Sequence, residues 1–308
     1  MVPATRAEAQ RVLAGRLGSP AEARWVVDHV LDRGPSTSPV DGERWAALTT
    51  LADRRLAGEP LQYVLGRWAF RHLELAVDSR ALIPRPETEQ VVEVALAELR
   101  RLGGTSLAFR PDRERPVAVD LGTGTGAIAL SLAVETGARV WAVDADPGAL
   151  ALAAANLDRV AAGRPDVPGR VTLCFGDWFA ALPAGLRGQV DLVVSNPPYV
   201  AEGEWPDLET QVRREPRQAL VAADGSDGTP GLADVEAVLR GAVAWLGRPG
   251  AVVVELAPHQ AAVAAALARA VGFTEVRIEP DLAGRDRAVV GRLPAVAAAP
   301  ELPRPRVP

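Results

Sequence analysis

The sequence predicts an α/β protein in two parts: a small helical bundle, then a doubly wound parallel sheet. Three observations carry that reading. Residues 4 to about 58 hold amphipathic stretches with helix caps, the chain from Arg115 onward alternates strand with helix, and a glycine-rich turn follows the first of those strands. A chain of 308 residues is long for one compact unit and comfortable for two.

The first helix, "TRAEAQRVLAGRLG", ends on Gly18, a good C-terminal stop. In "SPAEARWVVDHVLDRG", Ser19 suits the N-cap, Pro20 the first helical position and Glu22 the capping-box partner. A third helix is expected from about Asp41 to Ala57. "LGRWAFRHLELAVDSRALIP" then alternates as strands do and is expected to form a hairpin between the two parts. Seven strands follow, at "PVAVDLG", "RVWAVD", "VTLCFGD", "VDLVVSN", "AVVVELA", "EVRIEPD" and "DRAVVGRL", with helices between the early ones. The boundaries expected are a helical domain at 1–66, a hairpin linker at 67–84, a sheet domain at 85–293 and a disordered Pro/Ala-rich tail at 294–308.

Composition excludes several classes. A net charge of -5 argues against a dedicated nucleic-acid binder. Cys174 is alone, so no internal disulfide is possible, and it reads as a small buried hydrophobe. His29, His72 and His259 lack metal-ligand spacing, so no metal site is expected. No signal-like or membrane-length apolar run is present, and a cytoplasmic protein is expected.

"VDLGTGTGAIAL" sets Gly122, Thr123, Gly124, Thr125 and Gly126 between a strand and a helix, where the backbone can approach a ligand closely. The third glycine comes one residue earlier than the dinucleotide fingerprint requires, and Asp120, just before, could reach a cationic amino group. The next strand ends at Asp144, about 20 residues on, where an acid accepts from both ribose hydroxyls. Asp146, before Pro147, reads as a helix cap. Asp177 could take an adenine amino group and Trp178 could stack on the ring. Each residue alone has a plainer reading as a turn acid or a core aromatic. Together, three strand ends of matching polarity favour an adenosine-containing ligand, as S-adenosylmethionine would be.

The fourth strand runs directly into "SNPPY". Two successive prolines remove two backbone donors and stiffen the exit. An amide or aromatic amine nitrogen is a poor nucleophile because its lone pair is delocalised; a site helps by accepting both its N–H hydrogens. Asn196 offers a side-chain carbonyl, the backbone of Pro197 a second, and Tyr199 a wall for the planar group, with Pro198 stiffening the turn. No general base is needed for attack, since the nitrogen becomes acidic once alkylated.

At these motifs the chain resembles the PrmC/HemK protein-(glutamine-N5) methyltransferases. The likeness extends through "GEPLQYVLG" (58–66), "LIPRPETE" (82–89), "DLGTGTGAIAL" (120–130), "SNPPYV" (195–200), "REPRQAL" (214–220) and "DLAGRDRAVVGR" (281–292). "NPPY" alone recurs in amino-methylating enzymes of DNA, RNA and protein; "IPRPETE" joined to a helical N-terminal domain is far more specific. The resemblance implies a seven-stranded, Rossmann-like class I methyltransferase sheet with S-adenosylmethionine as cofactor. It implies transfer to the Gly-Gly-Gln glutamine of class-1 peptide chain release factors, by a protein expected to be monomeric and to need no nucleic acid or membrane. By the same implication Gly122 to Gly126, Asp144 and Trp178 contact the cofactor. Asn196 touches cofactor and glutamine, Pro197, Pro198 and Tyr199 complete the glutamine pocket, and the helical domain helps hold the release factor. Ala257-Pro258 and "ADGSDGTPGL" depart from the family pattern, and both are expected to lie outside the glutamine clamp.

Arg85 and Glu87 read equally well as reaching the ligand or as a brace between domains, and "RREPR" as closing the site or ordering the loop after "NPPY". Adenine-N6 methylation of RNA or DNA is the alternative activity, disfavoured by the acidic total and the small helical domain. A nonenzymatic release-factor or ribosome binder would have little use for an intact "NPPY".

Overall fold

The computed structural model describes residues 2–109 and 115–295. Four helices come first. α1 (Arg6–Leu17) is capped by Thr5 and stops at Gly18, whose φ of 69° is the left-handed conformation glycine adopts freely. α2 (Pro20–Leu31) begins on Ser19, which accepts from the Glu22 N–H, and α3 (Gly42–Leu56) on Asp41. A short α4 (Leu61–Leu65) lies beyond the expected helical limit near residue 58, opened by Pro60 and closed by left-handed Gly66. Ala9, Leu13, Val26, Leu48, Ala52 and Leu61 give these helices a buried core of their own.

β1 (Arg67–Phe70) and β2 (Leu73–Ala76) form an antiparallel hairpin. Strand character stops at Ala76, short of the expected Pro84, because Asp78 accepts from the Arg80 N–H at 3.0 Å and turns the chain. The sheet part follows as α5 (Pro86–Phe109), β3 (Val117–Leu121), α6 (Ala127–Glu135), β4 (Arg139–Asp144), α7 (Pro147–Ala161), β5 (Val171–Phe175) and β6 (Val190–Ser195). A two-residue pair, β7 (Val200–Ala201) and β8 (Val221–Ala222), was not foreseen, since two residues carry no period. Then come α8 (Ala233–Trp245), β9 (Leu246–Glu255), α9 (Ala261–Ala270), β10 (Glu275–Pro280) and β11 (Asp286–Leu293).

All seven expected strands join one sheet in the order β10-β11-β9-β6-β3-β4-β5. It is not wholly parallel: β11 runs antiparallel to both β9 and β10. The connection from β10, residues 281–285, is far too short for a parallel crossover, which takes about a dozen residues. Alternate residues feed two cores. Val119 of β3 and Val193 of β6 face α8 and α9, while Ala118 and Leu192 face α5 and α6. Cys174 departs from its reading as a buried hydrophobe and is only half-buried, because β5 is an edge strand. The expected tail lies, from residue 296 on, outside the described residues.

Strand order reverses between β3 and β6, so the loops leaving their carboxyl ends diverge and open a crevice. Among the described residues no helix is long and apolar enough to cross a membrane.

Candidate active site

A cavity of about 510 Å³ fills that crevice, within the ~300–1,000 Å³ usual for small-molecule sites. The loop after β3 forms its floor. Gly122, Gly124 and Gly126 all have positive φ, 72°, 55° and 82°, so the chain can turn there without a Cβ clash. A Cβ on Gly122 would enter the space between the Trp178 ring, at 3.8 Å, and the Asn196 carbonyl, at 3.9 Å. Gly122, Thr123, Gly124 and Thr125 line the cavity. Gly126 does not: it precedes α6 as N-cap, its N–H donates to Thr123 O, and a Cβ there would press on Leu130 at 3.2 Å.

Asp144, at the end of β4, accepts from the Gly124 N–H at 2.8 Å and the Asp146 N–H at 2.9 Å, so one carboxylate ties two strand-end loops together. Burial raises its pKa, and those backbone donors oppose the shift. Asp120 departs from the expectation that it meets a ligand amino group. It is fully buried and does not line the cavity. Its Oδ2 accepts from the Thr123 hydroxyl at 2.6 Å and the Ala129 N–H at 3.0 Å, so it folds the glycine loop from beneath. Burial pushes its pKa up to about 7. Asp146 caps α7 as read, accepting from the Ala149 N–H at 2.9 Å.

Asp177 and Trp178 close one end of the cavity. Trp178 is held at φ 40°, an uncommon conformation for a bulky residue and one that collects at functional sites. Asp144, Asp146, Asp177 and Asp234 all line the space, while its two lining arginines are already paired, Arg80 with Asp78 and Arg85 with Glu215. Such a lining repels phosphates and suits a cationic nucleoside with hydroxyl and amino donors.

Asn196 lines the cavity with Pro198. Its Nδ2 donates to Thr88 Oγ1 at 3.2 Å, and its Oδ1 is buried without a partner. A buried acceptor left free is costly unless a ligand supplies the donor. Ser195 locks the preceding residue by donating its hydroxyl to Leu121 O at 2.7 Å. Pro197 and Tyr199, expected as substrate contacts, are not among the cavity's lining residues. Pro197 is buried, and Tyr199 packs against the core beneath α8 and α9, where burial foremost, then Glu255, raises its hydroxyl pKa.

Several supporting residues escaped sequence reading. Gln260 donates to Tyr199 O at 3.0 Å and Pro230 O at 2.8 Å, and a Cβ on Gly231 would stand 2.3 Å from Tyr199 O. Gln260, just after Ala257-Pro258, and Gly231, within "ADGSDGTPGL", thus support the backbone at Tyr199, beside Asn196 and Pro197. Asn156, fully buried, bonds both backbone groups of Ala76 and Thr125 O, tying the hairpin to the glycine loop. Tyr63 donates to Ala81 O at 2.7 Å and supports the wall from Arg80 to Arg85. Glu215 pairs with Arg85 and accepts from the Ile83 N–H at 2.9 Å, while Gln218 donates to Asp146 at 2.6 Å. Pro216 of "RREPR" lines the cavity, and Arg217 pairs with Glu202 in the loop after "NPPY". Glu87 turns away to Arg285 at 3.0 Å, as a brace. Among the described residues no group of three or more metal-ligating side chains gathers.

The sheet order, the glycine loop and the acidic cavity define a class I, S-adenosylmethionine-dependent methyltransferase. A family model described as "Methyltransferase small domain" matches residues 107–223, and one described as "PrmC N-terminal domain" matches residues 5–66. A release factor glutamine methyltransferase of Bordetella pertussis is 40% identical over 88% of this chain and 94% of its own length. One of Burkholderia pseudomallei is 38% identical over 95% and 93%. The chain belongs to the release factor glutamine methyltransferase family. Among solved structures, the hMettl16 catalytic domain in complex with MAT2A 3'UTR hairpin 6 aligns over 83% of both chains at a TM-score of 0.50 and 14% identity, a likeness of fold alone.

Proposed function

We propose that this protein methylates the side-chain amide nitrogen, N5, of the glutamine in the Gly-Gly-Gln loop of class-1 peptide chain release factors. The observation that carries the reading is the unpartnered, buried Oδ1 of Asn196 at the wall of an acidic nucleoside-sized cavity. S-adenosylmethionine supplies an activated methyl group on a sulfonium. Asp144 would hold the ribose hydroxyls, Asp177 the adenine amino group and Trp178 the adenine ring.

The chain's own task is to make a flat, poor nucleophile react. Asn196 Oδ1 accepts one N–H of the glutamine amide and the Pro197 backbone carbonyl accepts the other. Gripping both hydrogens fixes the nitrogen and favours its pyramidal form as the new bond grows. Pro198 holds the turn rigid and Tyr199 backs it. The donor would be left as a neutral thioether, its S–CH3 bond broken as the N–CH3 bond forms, and the alkylated nitrogen loses its extra proton to solvent without a strong base. The bundle of α1–α4 helps hold the release factor. The reaction belongs in the cytoplasm, with the protein working as a monomer and without direct nucleic-acid contact.

Incubation with labelled S-adenosylmethionine and either release factor or total RNA tests the proposal. Label on the Gly-Gly-Gln glutamine is expected. Label on RNA instead would transfer the same clamp to adenine, and binding of the release factor without label would remove the activity.

A further inference from the structure

Four carboxylates line the cavity, and their partners divide them into two pairs. Asp144 accepts from the Gly124 and Asp146 N–H groups, and Asp146 from the Ala149 N–H and the Gln218 amide. Those bonds hold loops and the roof together. Asp177 and Asp234 complete no side-chain hydrogen bond or ion pair among the described residues. Asp177 is the acid expected at an adenine amino group; Asp234 carries no expectation from sequence.

Asp234 stands in the first turn of α8, half-buried at the cavity wall. An acid in that turn commonly complements the helix dipole, and here the plainer role is already filled. Glu236 of the same turn accepts from the Ser226 N–H at 2.8 Å and from its hydroxyl at 2.6 Å. The helix is also packed on the turn that carries Asp177. Phe179 stacks on Trp245 of α8 with ring centroids 5.9 Å apart, and a Cβ on Gly241 would run into the Phe179 ring. Both unpaired acids are therefore carried by packed elements at the Trp178 end of the cavity. Burial foremost, then the charge of Asp177, raises the Asp234 pKa, as for two acids facing one space.

Two unpaired acceptors beside an indole wall select a ligand group. An exocyclic –NH2 on a flat ring carries two N–H donors, one for each carboxylate. A carbonyl oxygen at the same ring position would face two negative charges. We propose that Asp234 is a second adenine-reading residue: with Asp177 it accepts the two hydrogens of the 6-amino group and sets the preference for an adenine base. The inference rests on the placement of adenine against Trp178 and adds to it a residue from α8.

The test is calorimetric binding of S-adenosylhomocysteine and of its 6-oxo analogue, S-inosylhomocysteine. The proteins are full-length wild type, Asp234→Asn, Asp234→Ala and Asp177→Asn, and the readout is the ratio of the two Kd values, without turnover. A polar group left unpaired in a site built for it costs about 10-fold or more, so wild type should favour the adenosyl ligand by at least about 100-fold. Asp234→Asn should weaken the adenosyl ligand by about 10-fold and tighten the inosyl one, because its amide N–H can donate to a 6-oxo group. Asp234→Ala, which offers no donor, should narrow the ratio less. An Asp234→Asn protein with the wild-type ratio would overturn the proposal. Equal weakening of both ligands would put Asp234 at the ligand's ammonium group or in the fold, and would overturn it too. If Asp177→Asn alone narrows the ratio, the proposal fails while the placement of adenine stands. A wild type that binds both ligands alike would instead sink that placement, and the proposal with it. Should Asp234→Asn not fold, Asp234→Ala decides the matter, since it must lose adenosyl affinity without an equal loss of inosyl affinity.

Discussion

At the scale of single residues, the site depends on carboxylates that do two things at once. Asp144 fastens the glycine loop to β4 through Gly124 and still faces the cavity. In the proposed binding mode, replacing it with alanine would remove the acceptor for the ribose hydroxyls as well as a loop tether. Charge-assisted hydrogen bonds contribute about 1.5–3 kcal/mol each, so Asp144→Ala should weaken cofactor binding by at least about tenfold in calorimetry. Glu255 is a contrasting case: it is buried outside the cavity lining, and burial raises its pKa to about 7 against the pull of the Thr88 hydroxyl and of Arg287 and Arg85.

At the scale of elements, the roof and the buttress set the shape of the cavity. The segment carrying Glu215, Pro216 and Gln218 is held over the ligand space by the Arg85 pair, the Ile83 N–H and Asp146. Glu215→Ala leaves Arg85 and a buried N–H without a partner, and should raise cofactor KM several-fold more than it lowers kcat. Gly231 lies at φ 64° with Tyr199 O where a Cβ would go. Gly231→Ala must displace the "NPPY" backbone, at a cost of about 2 kcal/mol or more, which lowers Tm by roughly 4–8 °C. Much of this scale was legible beforehand. Gly18, Ser19-Pro20 and Asp41 announce helix ends because caps are local chemistry, and "GTGTG" after an apolar run announces a strand-to-helix turn. Gln260 and Asn156 were illegible because their partners, Tyr199 and Ala76, are far away in sequence. The antiparallel setting of β11 was missed for a different reason: alternation reveals a strand, but only the short 281–285 connection reveals its direction.

At the scale of the whole molecule, Glu98 fastens α5 to the far edge of the sheet. It lies buried among Arg101 of its own helix, Arg277 of β10 and Arg292 of β11. Burial alone would raise its pKa, but the arginine hydrogen bonds prevail and hold it at about 2. A depressed carboxyl contributes stability above its unfolded pKa and loses it as pH falls through the folded one. Glu98→Gln should therefore cost about 3 kcal/mol at pH 7, and its Tm deficit against wild type should shrink from about pH 4.5 toward pH 2. That helix also carries Thr88 in its first turn, so the same anchor holds one wall of the active site in register with β9 and β6. The claim on which the whole account turns is that Asn196 Oδ1 grips the substrate amide, and Asn196→Ala tests it most directly. Single-turnover methylation of release factor at saturating S-adenosylmethionine should fall by at least about 100-fold, with cofactor Kd nearly unchanged. Turnover close to wild type in that variant would contradict the account.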